Sequence, residues 1–256
     1  GEGVFMANLS AHTARRYPCE ACPLRRRKYF RDFDQGELDF VSHFKRGELV
    51  ADKGAIILAE GTRNPHLFTV LKGWGFRYKL LSDGRRQIVN YVMPGDLIGL
   101  QGSLLGEMQH SVEALSPMTL CIFERGELMS LYREHPSLAY DVTWLASHEE
   151  SILDENLLSV GRRTAVERLA YLMAMLAKRP RITGIVSGAT TELSITQQHV
   201  ADTLGLSLVH TNKTARKLAD RGLLRWRERG CEVLDENGLE EVARARIPEQ
   251  VGRPFI

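Results

Sequence analysis

Residues 193–207 read LSITQQHVADTLGLS, a stretch with the local chemistry of two helices joined by a tight turn. Thr196 is suited to begin the first helix, because its hydroxyl can accept a hydrogen bond from an amide of the first turn. Ala201 is small enough for a second helix to cross close by. Gly205 permits the backbone of a sharp turn, and Ser207 is suited to cap the next helix. The stretch therefore predicts a helix-turn-helix.

The second helix, predicted from about Ser207 to Asp220, presents polar side chains away from its apolar residues. The N-terminal residues of such a recognition helix contact base edges. Asn pairs with adenine, Lys donates to guanine, and an apolar side chain meets the thymine methyl group. The start of the first helix is suited to phosphate contact. The predicted DNA-binding residues are Thr196, Gln197, Gln198, Ser207, Leu208, Val209, His210, Asn212, Lys213 and Lys217.

The charge distribution agrees with a nucleic-acid partner for the second part of the chain. Residues 161–256 carry 16 Lys and Arg against 11 Asp and Glu, whereas residues 1–160 carry 18 against 21. A basic region is the electrostatic signature of nucleic-acid binding. After Gly222, two short apolar runs joined by Arg227-Glu228-Arg229-Gly230 predict the two strands of a wing. A helical hairpin without a DNA role is the competing interpretation, and the turn, the caps and the charge together disfavour it.

The first half has a different pattern. Between Gly47 and Phe123, short apolar runs alternate with turns that contain glycine. Regularly spaced short strands predict a β-sandwich or barrel. Ser82-Asp83-Gly84, between two of these runs, predicts a hairpin. Residues 1–31 precede them as a polar, Arg-rich arm.

A long helix is predicted next, because residues 137–160 contain no glycine and have helix-forming composition throughout. Three of its apolar residues are spaced by seven, as in a coiled-coil seam. Periodicity alone does not separate a dimer helix from a helix buried within one domain. Gly161 is the predicted hinge after it. The candidate dimer contacts are Leu138, Val142, Leu145 and Ile152.

These motifs resemble the CRP/FNR superfamily of bacterial transcription regulators. KGAIILAEG, at residues 53–61, and HLFTVLKGWGFRYKLLSDGRRQIVNYVMPGDLIG, at residues 66–99, are similar to its cyclic-nucleotide-binding-type jelly roll. GRRTAVERLAYLMAML, at residues 161–176, and residues 193–224 are similar to its hinge helix and helix-turn-helix.

The resemblance implies an α+β chain with four parts: a Cys- and Arg-rich arm at 1–31, a β-roll sensor domain at 32–136, a dimerisation helix at 137–160 and a winged helix-turn-helix domain at 161–256. It further implies a homodimer on a pseudo-palindromic operator, with effector-controlled binding to double-stranded DNA. RNA polymerase is the other expected partner.

The sequence departs from the family at the effector pocket. Members that bind cyclic AMP carry Gly-Glu-Leu-Gly and then Arg-Ser, where Glu holds the ribose and Arg the phosphate. This chain has Gly99-Leu100-Gln101-Gly102 and then His110-Ser111. Without the bidentate, permanently charged Arg, the phosphate loses its partner. The sequence therefore argues against cyclic AMP and leaves the effector unknown.

The cysteines suggest another input. FNR-type members hold an iron–sulfur cluster with three clustered N-terminal cysteines and a fourth in the β-domain. Cys19, Cys22 and Cys121 match three of these positions and are the candidate metal ligands, whereas Lys28 replaces the remaining cysteine. A cluster would need a substitute ligand such as His12.

The nearby Arg residues are expected to lower the thiol pKa values. This expectation is compatible with a cluster, with zinc or with a redox switch, and a structural role is the remaining interpretation. The alternative function is therefore a redox or iron–sulfur sensor whose N-terminal cysteines control dimerisation and DNA binding.

Several function classes are disfavoured. No catalytic triad, Gly-rich nucleotide loop or acid/base carboxylate pair is evident, so an enzyme is not expected. No apolar stretch approaches the roughly 18 residues that span a bilayer. We expect a cytoplasmic protein without a membrane partner.

Overall fold

The computed structural model describes residues 9–12, 17–182, 190–249 and 252–256. The chain divides into two compact units. The first contains residues 1–79, 91–150 and 251–256, and the second contains residues 80–90 and 151–250.

The described strands are β1 (Leu9–His12), β2 (Lys45–Ala51), β3 (Ile56–Leu58), β4 (His66–Lys72), β5 (Gly75–Leu80), β6 (Arg86–Val92), β7 (Leu97–Ile98), β8 (Ser111–Ala114), β9 (Met118–Glu124), β10 (Thr191–Leu193), β11 (Leu224–Arg227) and β12 (Gly230–Val233). The described α-helices are α1 (Gln35–Phe44), α2 (Leu100–Leu105), α3 (Leu128–Glu134), α4 (Pro136–Arg162), α5 (Ala165–Ile182), α6 (Gln197–Leu204), α7 (Leu208–Asp220) and α8 (Glu236–Ala243).

The first unit is built on two antiparallel sheets, as the regularly spaced short strands predict. One has the order β1-β2-β9-β4-β7, and the other contributes the neighbouring strands β3, β8 and β5 to this unit. Val70, Val112 and Leu120 are completely buried in one apolar cluster of this roll. The arm expected at residues 1–31 contributes a strand to the fold, because β1 pairs with β2 from Leu9↔Ala51 to His12↔Glu48.

A second apolar cluster lies where α1, α3 and the start of α4 pack on the roll. Asp34 caps α1 by accepting from the amide of Glu37, whose side chain reaches back to the Asp34 amide. Phe44 of α1 stacks on Phe123 of β9 with ring centroids 4.8 Å apart. Three of the four cysteines are buried in this cluster, which therefore joins the arm to the roll.

The assignment of Leu138, Val142 and Leu145 to a dimer seam needs correction. All three are buried within the protomer, and Leu138 and Val142 belong to the cluster around Phe44. Ile152, further along α4, is half-buried. A core-facing stripe and a coiled-coil seam have nearly the same period, so the spacing of seven did not distinguish them.

The second unit is centred on α5, which packs against α7 and α8. The expected hinge at Gly161 is wrong, because α4 continues through it to Arg162. The break between α4 and α5 falls at Thr164. The Thr164 amide donates to the Glu167 side chain, and the Thr164 hydroxyl accepts from the Glu167 amide in the first turn of α5. The wing forms as expected, with the strand order β10-β12-β11.

In the described part of the chain, no helix combines the length and apolar character needed to cross a membrane.

Candidate nucleic-acid interface and sensor pocket

Helix α6 begins and ends at the residues that its sequence indicates. The Thr196 hydroxyl accepts from the amide of His199, and the His199 ring lies 2.8 Å from the same hydroxyl. Gly205 ends the helix in the left-handed conformation, φ 66°. Val200 and Ala201 are buried against the second helix, so α6 is held in a defined orientation.

The start of α7 is equally well defined. The Ser207 hydroxyl accepts from the amide of His210 at 3.2 Å. The hydroxyls of Thr211 and Thr214 donate to the carbonyl oxygens of Ser207 and His210, at 2.9 and 2.8 Å. Both threonines are buried, which leaves the other face of the helix for a ligand.

That other face carries most of the predicted DNA-binding residues. Leu208 and Val209 are both exposed although they are apolar, Val209 to 65%. An exposed apolar pair at the N-terminus of a recognition helix is suited to thymine methyl groups. The exposed residues of this face are Ser207, Leu208, Val209, His210, Asn212, Lys213, Arg216 and Lys217.

A groove between α7 and the wing brings Asn212 together with residues that are not among the predicted DNA-binding residues. Asn212 and Arg216 line it from α7, and Arg225 and Trp226 line it from β11. Arg216 lies four residues after Asn212 and therefore on the same helix face. This spacing was the available signal for Arg216, whereas the contribution of the wing depends on tertiary packing.

The first helix, α6, and the start of strand β6, which belong to the same unit, share a polar contact. Arg86 Nε donates to Asp202 Oδ2 at 2.8 Å, and Gln87 Nε2 donates to the Thr203 carbonyl oxygen at 2.9 Å. Gln198 Nε2 donates to the other Asp202 oxygen, also at 2.8 Å. One of the two amide protons of Gln198 is therefore already bonded within the protein.

The first unit has a buried polar network around His110, the residue that stands where the family resemblance places the phosphate-binding arginine. His110 is buried, and its Nδ1 lies 2.7 Å from Gln101 Oε1. Arg77 Nε donates to His110 Nε2 at 3.1 Å, and the same guanidinium pairs with Glu149 on α4. Burial and the charges of Arg77 and Lys79 lower the pKa of His110 to about 3. A neutral imidazole that donates to Gln101 and accepts from Arg77 satisfies all these contacts.

The three cysteines of the sensor unit lie in apolar surroundings. Burial raises the pKa of Cys121 to about 12 and also raises that of Cys22. The expectation that nearby arginines lower the thiol pKa values is therefore wrong for Cys22 and Cys121. Arg25 donates to the backbone carbonyl oxygen of Cys19 and pairs with Asp32. Its charge is thus committed to carbonyl and carboxylate oxygens.

The predicted metal site lacks a fitting set of ligand side chains among the described residues. The fully buried Lys45 lies beside these thiols, and its Nζ donates to Glu48 Oε1 at 2.8 Å. Within the described residues, no three His, Cys, Asp or Glu side chains are arranged to hold a metal ion. Lys28 is exposed, and the side chain of His12 lies outside the described residues. Since clusters need thiolates, normally four, these residues do not fit an iron–sulfur cluster.

Comparison with known families matches both units. The cyclic nucleotide-binding domain family matches residues 41–135, and the Crp-like helix-turn-helix domain family matches residues 167–242. A β-roll sensor fold together with a winged helix-turn-helix defines a DNA-binding regulator.

Full-length relatives identify the family. The nitrogen fixation regulation protein FixK of Bradyrhizobium diazoefficiens is 30% identical over 228 residues, which cover 89% of this chain and 94% of that protein. The FixK protein of Rhizobium meliloti is 33% identical over 74% of this chain and 83% of its own length. The structure of FixK2 from Bradyrhizobium japonicum superposes with a TM-score of 0.68 at 26% identity, covering 78% of this chain and 98% of that one. The chain belongs to the CRP/FNR superfamily of transcription regulators, a family of DNA-binding proteins and not of enzymes.

Proposed function

We propose that this regulator acts as a homodimer that inserts α7 of each protomer into successive major grooves of a pseudo-palindromic operator. The carrying observation is the exposed face of α7, which combines Asn212 and Lys213 with the apolar pair Leu208 and Val209. Dimers of this motif place their recognition helices about one DNA turn apart.

In this proposal, different residues contact the base edges and the phosphates that position the protein on DNA. Asn212 and Lys213 read base edges, and His210 adds a further polar contact. Lys217 contacts phosphate, together with Thr196, Gln197 and Gln198 at the start of α6. For Gln198 the amide proton that does not bond Asp202 serves this contact.

Dimerisation is assigned to the second half of α4. Leu157 and Leu158 are exposed there, at 68% and 45%, although both are large apolar side chains. Ile152 and Leu153 are half-buried beside them. Because the first half of α4 is packed into its own protomer, the exposed leucines are the surface that a second copy can bury. The four-part division at residues 31, 136 and 160 stays a prediction.

The proposal extends to the signal and the partners. The paired side chains of Arg77, Gln101, His110 and Glu149 support an effector other than cyclic AMP. Once bound to its operator, the dimer acts on RNA polymerase. The cytoplasm is the expected location, because the DNA ligand lies there.

The test begins with selection of bound sequences from a random DNA pool, followed by mobility-shift titrations with the selected operator. Asn212→Ala should weaken operator binding by about 1–3 kcal/mol and relax the preference at one base position. Lys213→Ala should weaken binding and lower the slope of log K against log salt by about 1.

Lys53→Ala is the matched control, since this lysine is exposed on a turn of the first unit. It should leave both affinity and salt slope unchanged. Affinities of the two α7 variants that equal the Lys53→Ala value would refute this mode of binding.

A further inference from the structure

Residues 252–256, Gly-Arg-Pro-Phe-Ile, are built into the first unit although the chain reaches them only after the second unit. Arg253 forms a parallel bridge with Phe30: its amide donates to the Tyr29 carbonyl oxygen at 2.9 Å, and its carbonyl oxygen accepts from the Arg31 amide at 2.8 Å. The segment is therefore held by backbone hydrogen bonds to the N-terminal arm.

Charge recognition accompanies the backbone pairing. The Arg253 guanidinium pairs with Asp96, and both side chains are more than nine-tenths buried. Asp96 also accepts from the Met93 amide and so holds the Pro94-Gly95 turn. A buried carboxylate without a cation is costly. The pocket thus selects an arginine.

The next two apolar side chains fill the remaining space. Phe255 is 3% exposed, with ring centroids 5.3 Å from Phe30 and 4.9 Å from Phe33. Ile256 is equally buried, and its carbonyl oxygen accepts from the Thr69 hydroxyl. The pocket therefore recognises a basic, an aromatic and an aliphatic side chain in one short peptide.

This pocket is continuous with the buried thiols. Phe255 and Ile256 belong to the same apolar cluster as Cys19, Cys22 and Cys121. Thr69, which bonds Ile256, lies directly opposite Cys121 in the β4–β9 pairing. Neighbours in such a pair project to the same face of a sheet, so the segment lies over the strand that carries Cys121.

The docking also has a weak point. Arg253 Nε is buried and has no hydrogen-bond partner among the described residues. An unpaired buried donor opposes the docked state.

We propose that the first unit is a receptor for a short Arg-Pro-Phe-Ile peptide, and that residues 252–256 of this chain occupy it as a releasable plug that shields the thiols of Cys19, Cys22 and Cys121. The assignment is independent of operator binding. Its ligand class is a peptide with one arginine followed by apolar residues.

The test measures native-state alkylation of each cysteine by iodoacetamide, with mass spectrometry of the digested peptides. Arg253→Ala should accelerate alkylation of Cys22 and Cys121 at least tenfold. Cys231, fully buried in the wing, is the internal control and should keep its rate. Arg246→Ala, at a position outside the pocket, is the matched variant and should behave as the unmodified protein.

A peptide of residues 249–256 provides a second, complementary experiment. Added to protein lacking residues 252–256, it should restore protection of Cys22 and Cys121, and the same peptide with Ala in place of Arg should not. If the truncated protein does not fold, Arg253→Lys takes its place in the test. This milder change keeps the charge and should give an alkylation rate between those of the unmodified protein and Arg253→Ala.

Three results would overturn the plug. They are unchanged rates in both Arg253 variants, equal acceleration at Cys231, and peptide that gives no protection to a folded truncated protein.

Discussion

The charge state of His110 follows from its surroundings. Burial, with the positive charges of Arg77 and Lys79, holds its pKa at about 3, against 6.5 for the free side chain. The folded protein therefore keeps the imidazole neutral where the unfolded chain takes up a proton. Stability from this group is fully present above pH 6.5 and is lost as the pH falls towards 3.

We therefore expect the free energy of unfolding to fall by about 2 kcal/mol between about pH 6.5 and pH 5 through this residue. In His110→Asn, whose amide can still donate to Gln101, this part of the pH dependence should disappear. Urea unfolding at the two pH values, compared between the two proteins, measures it. An identical pH dependence in both would contradict a neutral buried imidazole.

At the scale of elements, the wing depends on one glycine. Gly230 begins β12 with φ 141°, and a Cβ there would lie 1.9 Å from the carbonyl oxygen of Leu193. β10 therefore approaches β12 so closely that no side chain fits between them.

Gly230→Ala should destabilise the protein by about 2–4 kcal/mol, because both the backbone conformation and the sheet must change. Gly161→Ala is its counterpart: this glycine lies inside α4, and the methyl group of an alanine there would meet nothing within 4 Å. It should stabilise by about 0.5–1 kcal/mol. Thermal unfolding measures the stability of both variants. A Gly230→Ala protein as stable as the unmodified protein would refute the close approach of β10 to β12.

At the scale of the whole molecule, the dimer surface proposed on the second half of α4 predicts how the oligomeric state responds to substitution. Leu157→Glu should raise the dimer dissociation constant about 100- to 1,000-fold, since a buried leucine contributes roughly 2 kcal/mol and a twofold axis doubles the loss. Analytical ultracentrifugation measures it.

Leu105→Glu is the control for that experiment, because Leu105 is equally exposed, at 67%, but lies on α2. It should leave the dimer intact. A dimer that survives Leu157→Glu would move the interface elsewhere.

The helix-turn-helix could be predicted from the sequence nearly to the residue. Its signals are local: the Thr196 and Ser207 caps, the left-handed Gly205 and the small Ala201 each act within one helical turn. The exposed face of α7 followed from the same spacing. Arg225 and Trp226 were missed, because the wing reaches the recognition helix through the tertiary fold.

The pocket network and the plug were beyond sequence reasoning for the same reason. Arg77 and Glu149 are 72 residues apart in the chain, and Arg253 is 157 residues from Asp96. Long-range pairs of this kind leave no periodic signal. Their residues are ordinary surface types until the fold brings them together.

The sequence by itself determined the class of fold, the order of its parts and the recognition helix, since caps, turns and apolar periodicity act between near neighbours. Only the tertiary structure decided which face of α4 is buried, which side chains pair with His110 and where residues 252–256 lie. Burial is a property of the packed chain. One apolar stripe serves equally as core or as interface until its neighbours are known.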